Sequence, residues 1–315
     1  MNKHFNEHPI FNNSEFFIET PMINKLKDQI SQCLWNGISG AAIYGSYRIG
    51  KTKAINYIKN NLTNCLDETL PSRFVSIAPR DVGTVAGVFK NICHSWDFKL
   101  KSRVTADDMS SLICHHLGEL SLSNSTRQVL LVVDELQRLN MSQFEAFAEL
   151  HDKLSSIGSN LFVLFVGNDS AMTKVHKNLN NEKYELIRGR FFTQEFRFYG
   201  IREFDELKAC LGAYDNSRFP QKGKSYTQYF LSECVAEKWR LDSLSEIIWS
   251  EYHEHFKVPL KIKSWPMQYF VSMVRVLITD FLPNHGIEDK DLLRTMIQAS
   301  INVSGLVKNQ VRKAS

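Results

Sequence analysis

The chain has 315 residues, a net charge of +4, and 43% hydrophobic and 23% charged residues, values that are ordinary for a soluble globular protein. The mild charge permits nucleic acid as a partner without requiring one. The strongest apolar runs, at 129–133 and 161–166, are too short to span a bilayer, and the polar N-terminus lacks the apolar core of a signal peptide. Six widely spaced cysteines without a C-x-x-C pair indicate reduced thiols, so we expect a cytoplasmic protein.

Strands and helices are predicted to alternate through the first two thirds of the chain. Short apolar segments, rich in β-branched or aromatic residues, predict buried strands at 41–44, 74–78, 129–133, 161–167 and 192–198. Helical spacing lies between them at 51–61, 85–96, 106–120, 142–155 and 171–179. This alternation predicts a three-layer α/β sandwich with a parallel five-stranded sheet.

The last third of the chain carries no strand signal. Apolar residues have helical spacing at 202–211, 226–239, 244–255, 267–282 and 290–301, with breaks at 219–223 and 258–266. We therefore predict four regions: an N-terminal extension with a first helix (1–40), an α/β domain (41–200), an all-helical domain (201–303) that follows it as a lid, and a basic flexible tail (304–315).

A phosphate-binding loop follows the first predicted strand. The segment Gly45-Ser46-Tyr47-Arg48-Ile49-Gly50-Lys51-Thr52, continued by Lys53, has the form G-x-x-x-x-G-K-[ST] and leads into a predicted helix. Backbone N–H groups of such a loop and the N-terminus of its helix bind phosphates. Lys51 is expected to reach the terminal phosphates, and the Thr52 hydroxyl to hold Mg²⁺. The segment predicts that the chain binds a nucleoside triphosphate.

Polar side chains also end the third and fourth predicted strands. Asp134 is placed to bind Mg²⁺, and the adjacent Glu135 to orient and deprotonate an attacking water. This acidic pair favours a hydrolase, the alternative being two solvated acids. Asn168 is placed to touch the γ-phosphate or its attacking water, although Asn is also a common turn residue after a strand.

Two arginines precede the fifth predicted strand. Arg188 and Arg190 are candidates to enter the nucleotide site of a neighbouring subunit, where a guanidinium neutralises charge on the transferred phosphoryl group. The alternative is a solvated Arg-Gly-Arg turn, and this argument does not separate the two.

The order of these motifs resembles that of the AAA+ ATPases: a phosphate loop, strands ending in Asp-Glu and in Asn, and Arg-x-Arg-Phe before a fifth strand and a helical lid. Residues 44–52 and 134–139 are similar in particular to the TnsC/TniB group of transposition regulators, with a resemblance that covers residues 15–200 and the lid in outline. It implies a bacterial, nucleoid-associated protein that forms ATP-dependent rings or filaments on duplex DNA. Such proteins link a target selector, sometimes a CRISPR effector, to a transposase.

The resemblance also implies roles for individual residues. Lys51 and Thr52 would bind phosphate and Mg²⁺, and Glu135 would be the base. Asn168 would be the first sensor, and Arg190, with Arg188 as its competitor, the finger that acts in trans. The sequence departs from the family pattern in the lid, where many AAA+ proteins carry a second sensor, an arginine near the start of a late helix. Here the helix after Trp265 has no arginine at its start, and the nearest one, Arg275, lies two turns further on.

A basic stripe supplies candidate DNA contacts. Lys99, Lys101, Arg103 and Thr105 alternate with other residues between two predicted helices, a pattern suited to following a phosphate backbone without reading bases. The alternative is a solvated face. Arg80, after the second strand, is a weaker candidate.

Two other functions stay open. A helicase loader or replication initiator would be favoured by a winged-helix domain, which no segment after Ile301 indicates. A STAND-class signalling ATPase, which does not act on DNA, normally carries long repeat or effector domains, for which 315 residues leave no room. A small-molecule kinase is a remote third option, disfavoured by the Asp-Glu pair and the large helical half.

Overall fold

The computed structural model describes residues 7–12, 15–79, 83–236 and 238–308. They divide into two compact units. The first, which we call the α/β unit, contains Lys25–Tyr47 and Lys51–Phe198. The second, the helical unit, contains the described part of Met1–Asn24, together with Arg48–Gly50 and the described part of Tyr199–Ser315. None of the described helices is long and apolar enough to cross a membrane.

The α/β unit is built on one parallel sheet, as predicted. Its five strands lie in the order β2-β3-β4-β1-β5. Their bounds are β1 (Gly40–Tyr44), β2 (Ser72–Ser76), β3 (Gln128–Asp134), β4 (Asn160–Gly167) and β5 (Glu195–Arg197). Every residue from Val129 to Val133 is fully buried, so both faces of β3 are covered, which is why the sequence shows an apolar run instead of alternation.

Among the described residues of the first two thirds of the chain, seven α-helices accompany the sheet. They are α1 (Pro21–Trp35), α2 (Lys51–Asn60), α3 (Val85–Ser95), α4 (Ala106–Ser121), α5 (Phe144–Ser156), α6 (Asp169–Leu179) and α7 (Glu185–Phe191). The helices predicted in this part of the chain are present within a few residues of their expected bounds, whereas no helix was predicted at α7. Its last residue, Phe191, packs against Gly40 at the start of β1. A Cβ on Gly40 would lie 2.7 Å from the Val163 oxygen and 2.8 Å from Phe191 Cδ1, so only glycine fits there.

The described part of the helical unit contains six further α-helices and one short antiparallel hairpin. The helices are α8 (Phe204–Asn216), α9 (Tyr226–Leu231), α10 (Ser245–Tyr252), α11 (Met267–Val276), α12 (Leu282–His285) and α13 (Lys290–Val303). The hairpin pairs β6 (Arg218–Phe219) with β7 (Lys224–Ser225), at a break for which no strand was predicted. A Cβ on Gly223 would lie 2.7 Å from the Phe219 oxygen, so glycine permits this tight reversal.

Three helices of this unit differ from their prediction. The helix expected over 226–239 ends at Leu231. That expected over 244–255 continues after Tyr252 as a π-helical turn at His253–Lys257, and that expected over 267–282 is interrupted by a π-helical turn at Leu277–Phe281. Pro283 follows this turn and has no N–H to donate to the preceding turn, so a regular α-helix cannot continue through it. Trp265 stacks on Tyr252 with ring centroids 3.9 Å apart, in the core of the unit.

A buried histidine anchors the N-terminal segment within the helical unit. The His8 ring is fully buried, and its centroid lies 4.6–4.9 Å from those of four aromatic rings: Phe219, Tyr226, Tyr229 and Phe230. Its Nδ1 accepts a hydrogen bond from the Ile10 N–H (3.2 Å), whereas Nε2 has no partner among the described residues. Burial lowers the pKa of His8 to about 4, so the ring is neutral at pH 7.

Candidate nucleotide site

The register of the sheet brings the predicted motifs to one edge. Tyr44 lies opposite Gly167 and Asp134 opposite Val166, so β1, β3 and β4 end at the same level. The segments that follow these strands begin at Gly45, Glu135 and Asn168. Because all three strands are parallel, the phosphate loop, the acidic pair and the polar amide share the carboxyl edge of the sheet, where α/β proteins bind ligands.

The phosphate loop has the backbone that an anion cradle needs. Gly50 has φ +96° and Arg48 φ +66°, both in the left-handed region. Helix α2 begins directly afterwards at Lys51, and its first turn carries no acidic side chain. The positive end of its dipole is therefore uncompensated by a local carboxylate, which suits phosphate binding. Arg48 contributes its side chain to the helical unit, where Nη1 donates to Tyr269 Oη at 2.7 Å.

Lys51 lies folded back onto the loop. Its Nζ donates to the carbonyl oxygens of Gly45 (2.7 Å) and Ser46 (2.8 Å). Burial lowers the pKa of Lys51, and three nearby carboxylates, of Asp169, Asp134 and Glu135, oppose that effect. The ammonium group is thus positioned beside the loop and is held there by bonds that a phosphate oxygen can replace.

The chemistry of Thr52 and Asp134 fits Mg²⁺. The Thr52 hydroxyl donates to Asp134 Oδ2 at 3.4 Å, so two oxygen ligands of the kind that Mg²⁺ prefers lie side by side. Burial raises the pKa of Asp134, and the charge of Glu135 raises it further, against hydrogen bonds from the Glu135 N–H and Thr52. A divalent cation would offset both unfavourable effects. These two residues therefore fit a magnesium site shared with bound phosphates.

Glu135 is restrained by contacts that the sequence did not predict. Its backbone is left-handed (φ +66°, ψ 41°), an uncommon conformation for a residue with a side chain. Its carboxylate accepts a hydrogen bond from the Gln137 amide and lies 3.6 Å from Arg138 Nη2. Arg138 also donates through Nη1 to the Ile77 oxygen at 2.5 Å, just after β2. The predicted base is held by its own loop.

Asn168 caps a helix and also contacts the phosphate loop. As the N-cap of α6, its Oδ1 accepts hydrogen bonds from the Ala171 N–H (2.8 Å) and the Ser170 hydroxyl (2.7 Å). Its Nδ2 donates to Tyr47 Oη in the phosphate loop at 2.5 Å. The next residue, Asp169, accepts a hydrogen bond from the Ser46 hydroxyl at 3.0 Å. The sequence did not identify Asp169 as a site residue, because an acidic residue next to a helix cap belongs to no recognisable motif.

The two candidate finger arginines lie on α7 in different environments. Arg190 forms an ion pair with Asp152 (3.0 Å) and donates to the Ala148 oxygen (3.3 Å), and a quarter of its side chain (25%) is exposed. Arg188 has longer contacts, 3.9 Å to Glu185 and 3.4 Å to the Leu179 oxygen, and 49% of its side chain is exposed. Arg190 is therefore the more restrained of the two within its own chain.

The basic stripe lies in the segment between α3 and α4. Lys99, Lys101 and Arg103 are exposed, whereas the neighbouring apolar residues Phe98, Leu100 and Val104 pack against the core, which leaves a row of cations on the surface. Thr105 is the N-cap of α4, and its hydroxyl exchanges hydrogen bonds with Asp108 at 2.8 and 3.1 Å. Arg80 lies outside the described residues.

Comparisons with known proteins agree with this fold. Residues 39–174 match the family model described as "AAA domain". The ORC2 protein of Aeropyrum pernix, in ADPNP-ADP complexes, is similar over 92% of this chain and 71% of its own, with 13% identity and a TM-score of 0.51. At that identity the likeness shows the AAA+ P-loop fold.

Two further solved structures are more distant. Cdc6p of Pyrobaculum aerophilum has 16% identity and a TM-score of 0.42, with 94% of this chain and 83% of its own covered. A Walker-type ATPase of Pyrococcus abyssi has 12% identity and a TM-score of 0.41, with 92% and 91% covered. Among curated proteins, none matches the sequence.

Proposed function

We propose that the chain is an ATP-hydrolysing switch of the TnsC/TniB type, which regulates DNA transposition. In the ATP state it assembles as a ring or filament on duplex DNA and links a target selector to a transposase; hydrolysis then dismantles the assembly. The observation that carries the ATPase proposal is the meeting of Lys51, Thr52, the acidic pair and Asn168 at one edge of the sheet. The transposition role rests on the resemblance of residues 44–52 and 134–139.

The chain's own residues account for the chemistry. Lys51 exchanges the carbonyl oxygens of Gly45 and Ser46 for phosphate oxygens when ATP binds. Thr52 and Asp134 would hold Mg²⁺, which would supply positive charge to neutralise the phosphate oxygens. Glu135 takes the proton of the attacking water once its carboxylate leaves Gln137 and Arg138. This release step suits a slow switch, since the base is not free in the resting conformation.

Arg188 is the better candidate for the finger that acts in trans. A guanidinium that enters a neighbour's site must leave its contacts within its own chain. Arg188 gives up two long contacts, whereas Arg190 gives up a 3.0 Å ion pair with Asp152 and a bond to the Ala148 oxygen. We therefore assign the finger to Arg188, with Arg190 as a residue that fixes α7 to α5.

Duplex DNA is the partner that the basic stripe suits. Lys99, Lys101 and Arg103 present a row of three exposed cations, which suits contacts to the phosphate backbone with little sequence preference.

A replication initiator or helicase loader is the second candidate, because the likeness to the ORC2 protein extends over 92% of this chain. Electron microscopy with duplex DNA separates the possibilities. Rings or filaments on arbitrary duplex with a non-hydrolysable ATP analogue, but not with ADP, support the regulator. Assembly restricted to a defined sequence in nuclease footprints supports the initiator. Monomers that bind neither DNA nor nucleotide would contradict the proposal.

A further inference from the structure

An exposed tyrosine in the phosphate loop is hydrogen-bonded to a buried amide across the site. The side chain of Tyr47 is largely solvent-accessible (64%), whereas Asn168 is buried (4%), and the two meet at 2.5 Å through Tyr47 Oη and Asn168 Nδ2. An exposed hydroxyl needs no protein partner, because water supplies one. This link therefore calls for a role other than satisfying the tyrosine.

The hydrogen bonds of Asn168 define how its amide is turned. The Oδ1 atom must face α6, because it accepts from the Ala171 N–H and the Ser170 hydroxyl. The Nδ2 group consequently faces the phosphate loop, where Tyr47 takes one of its two N–H groups. The second N–H has no partner among the described residues. Tyr47 thus restrains a donor at the edge of the sheet that also carries Lys51 and Asp134.

A neighbouring contact holds the same two segments together. The Ser46 hydroxyl donates to Asp169 Oδ2 at 3.0 Å, so two consecutive loop residues bind two consecutive residues at the start of α6. Strands β1 and β4, which lead into these segments, are paired up to Tyr44 and Gly167. The loop and the amide therefore keep a fixed spacing.

The geometry points to Tyr47 as a positioning residue that fixes the amide of Asn168 so that it detects the terminal phosphate of ATP, which ADP lacks. This inference rests on the proposed binding of ATP at this edge. Tyr47 acts through Asn168, and its hydroxyl, not its ring, carries the effect. Discrimination between triphosphate and diphosphate is then partly set by a variable position of the phosphate loop.

The test replaces only the hydroxyl, in Tyr47→Phe, and measures kcat and KM for ATP hydrolysis together with the affinities for an ATP analogue and ADP. Because a hydrogen bond that orients a group toward a charged phosphate is at stake, we expect a roughly tenfold fall in kcat. We also expect a several-fold fall in the ratio of ATP-analogue to ADP affinity, by the same principle, with ADP binding and Tm unchanged. Tyr199→Phe is the matched control, since it loses a hydroxyl outside the loop and keeps the ring that packs under Arg202.

A second variant tests whether Tyr47 acts through Asn168. Asn168→Ser retains an oxygen that caps α6 but removes the amide donor. Adding Tyr47→Phe to Asn168→Ser is expected to cause no further loss, whereas losses that multiply would overturn the inference. Equal weakening of ATP-analogue and ADP binding in Tyr47→Phe, or no change in either, would also overturn it. If the wild-type chain bound no ATP, the proposed function itself would fail, a result that the wild-type measurement identifies separately.

Discussion

Replacing Arg188 by alanine is expected to abolish assembly-dependent ATP hydrolysis while nucleotide binding persists. A guanidinium supplied in trans contributes about 10³- to 10⁵-fold to kcat in phosphoryl transfer, so the loss in Arg188→Ala should be of at least about 10³-fold. Arg190→Ala is the matched control on the same helix. It removes a partly exposed ion pair with Asp152, which stabilises the fold by less than about 1 kcal/mol, and hydrolysis should fall less than about tenfold.

A mixing assay shows whether Arg188 acts between subunits. Arg188→Ala retains an intact Glu135, and Glu135→Gln retains an intact Arg188, so a mixed interface can combine the two. Random assembly at equal concentrations gives such an interface at roughly a quarter of the sites, and hydrolysis should recover to about that fraction. Absence of any recovery, with both variants folded and assembled, would show that Arg188 does not act in trans. A large loss in Arg190→Ala and a small one in Arg188→Ala would refute the argument from side-chain restraint.

Three further predictions concern the base, the stripe and the buried histidine. Glu135→Gln should retain ATP binding and keep the DNA-bound assembly from dissociating, as seen by electron microscopy; loss of ATP binding would contradict the role of base. Joint replacement of Lys99 and Lys101 by alanine should weaken binding to DNA of every sequence and reduce the slope of log affinity against log salt concentration by about 2. An unchanged slope would show that these lysines do not contact DNA. Burial lowers the pKa of His8 to about 4, so between pH 6.5 and pH 4 the histidine is protonated in the unfolded chain but neutral in the folded protein. The contribution of neutral His8 to stability should therefore be retained above pH 6.5 and lost progressively toward pH 4. Between pH 7 and pH 5, the free energy of unfolding measured with urea should fall by about 2 kcal/mol more in the wild type than in His8→Phe. Equal falls in the two proteins would contradict this prediction.

Much of the α/β unit could be predicted because its signals are local. The apolar run 129–133 and the acidic pair that follows it identify a buried strand and the chemistry at its end without any tertiary information. The phosphate loop is similarly self-contained, since its glycines, Lys51 and Thr52 are consecutive in sequence. The parallel five-stranded sheet followed from the alternation of such segments, and the structure confirms it.

The contacts that tune the site were beyond reach of the sequence. Tyr47 and Asn168 meet across 121 positions of chain, and Arg138 reaches the Ile77 oxygen across 61. Neither pairing leaves a periodic pattern, because each depends on where two loops end in space. The hairpin at Arg218–Ser225 was missed for a different reason: strands of two residues are too short to show alternation.

Gly40 couples the first strand of the sheet mechanically to α7, the helix that carries Arg188 and Arg190. With no side chain between them, the backbone of β1 and the Phe191 ring are in direct contact, which leaves no compressible layer to absorb movement. Phe191 is three residues from Arg188, and Gly40 is five residues from Gly45. In the proposed assembly, a force that a neighbouring subunit exerted on Arg188 would therefore have a short, stiff route to the strand that carries the phosphate loop of the same chain. In Gly40→Ala the added methyl group would push α7 away from β1 and so weaken this mechanical contact.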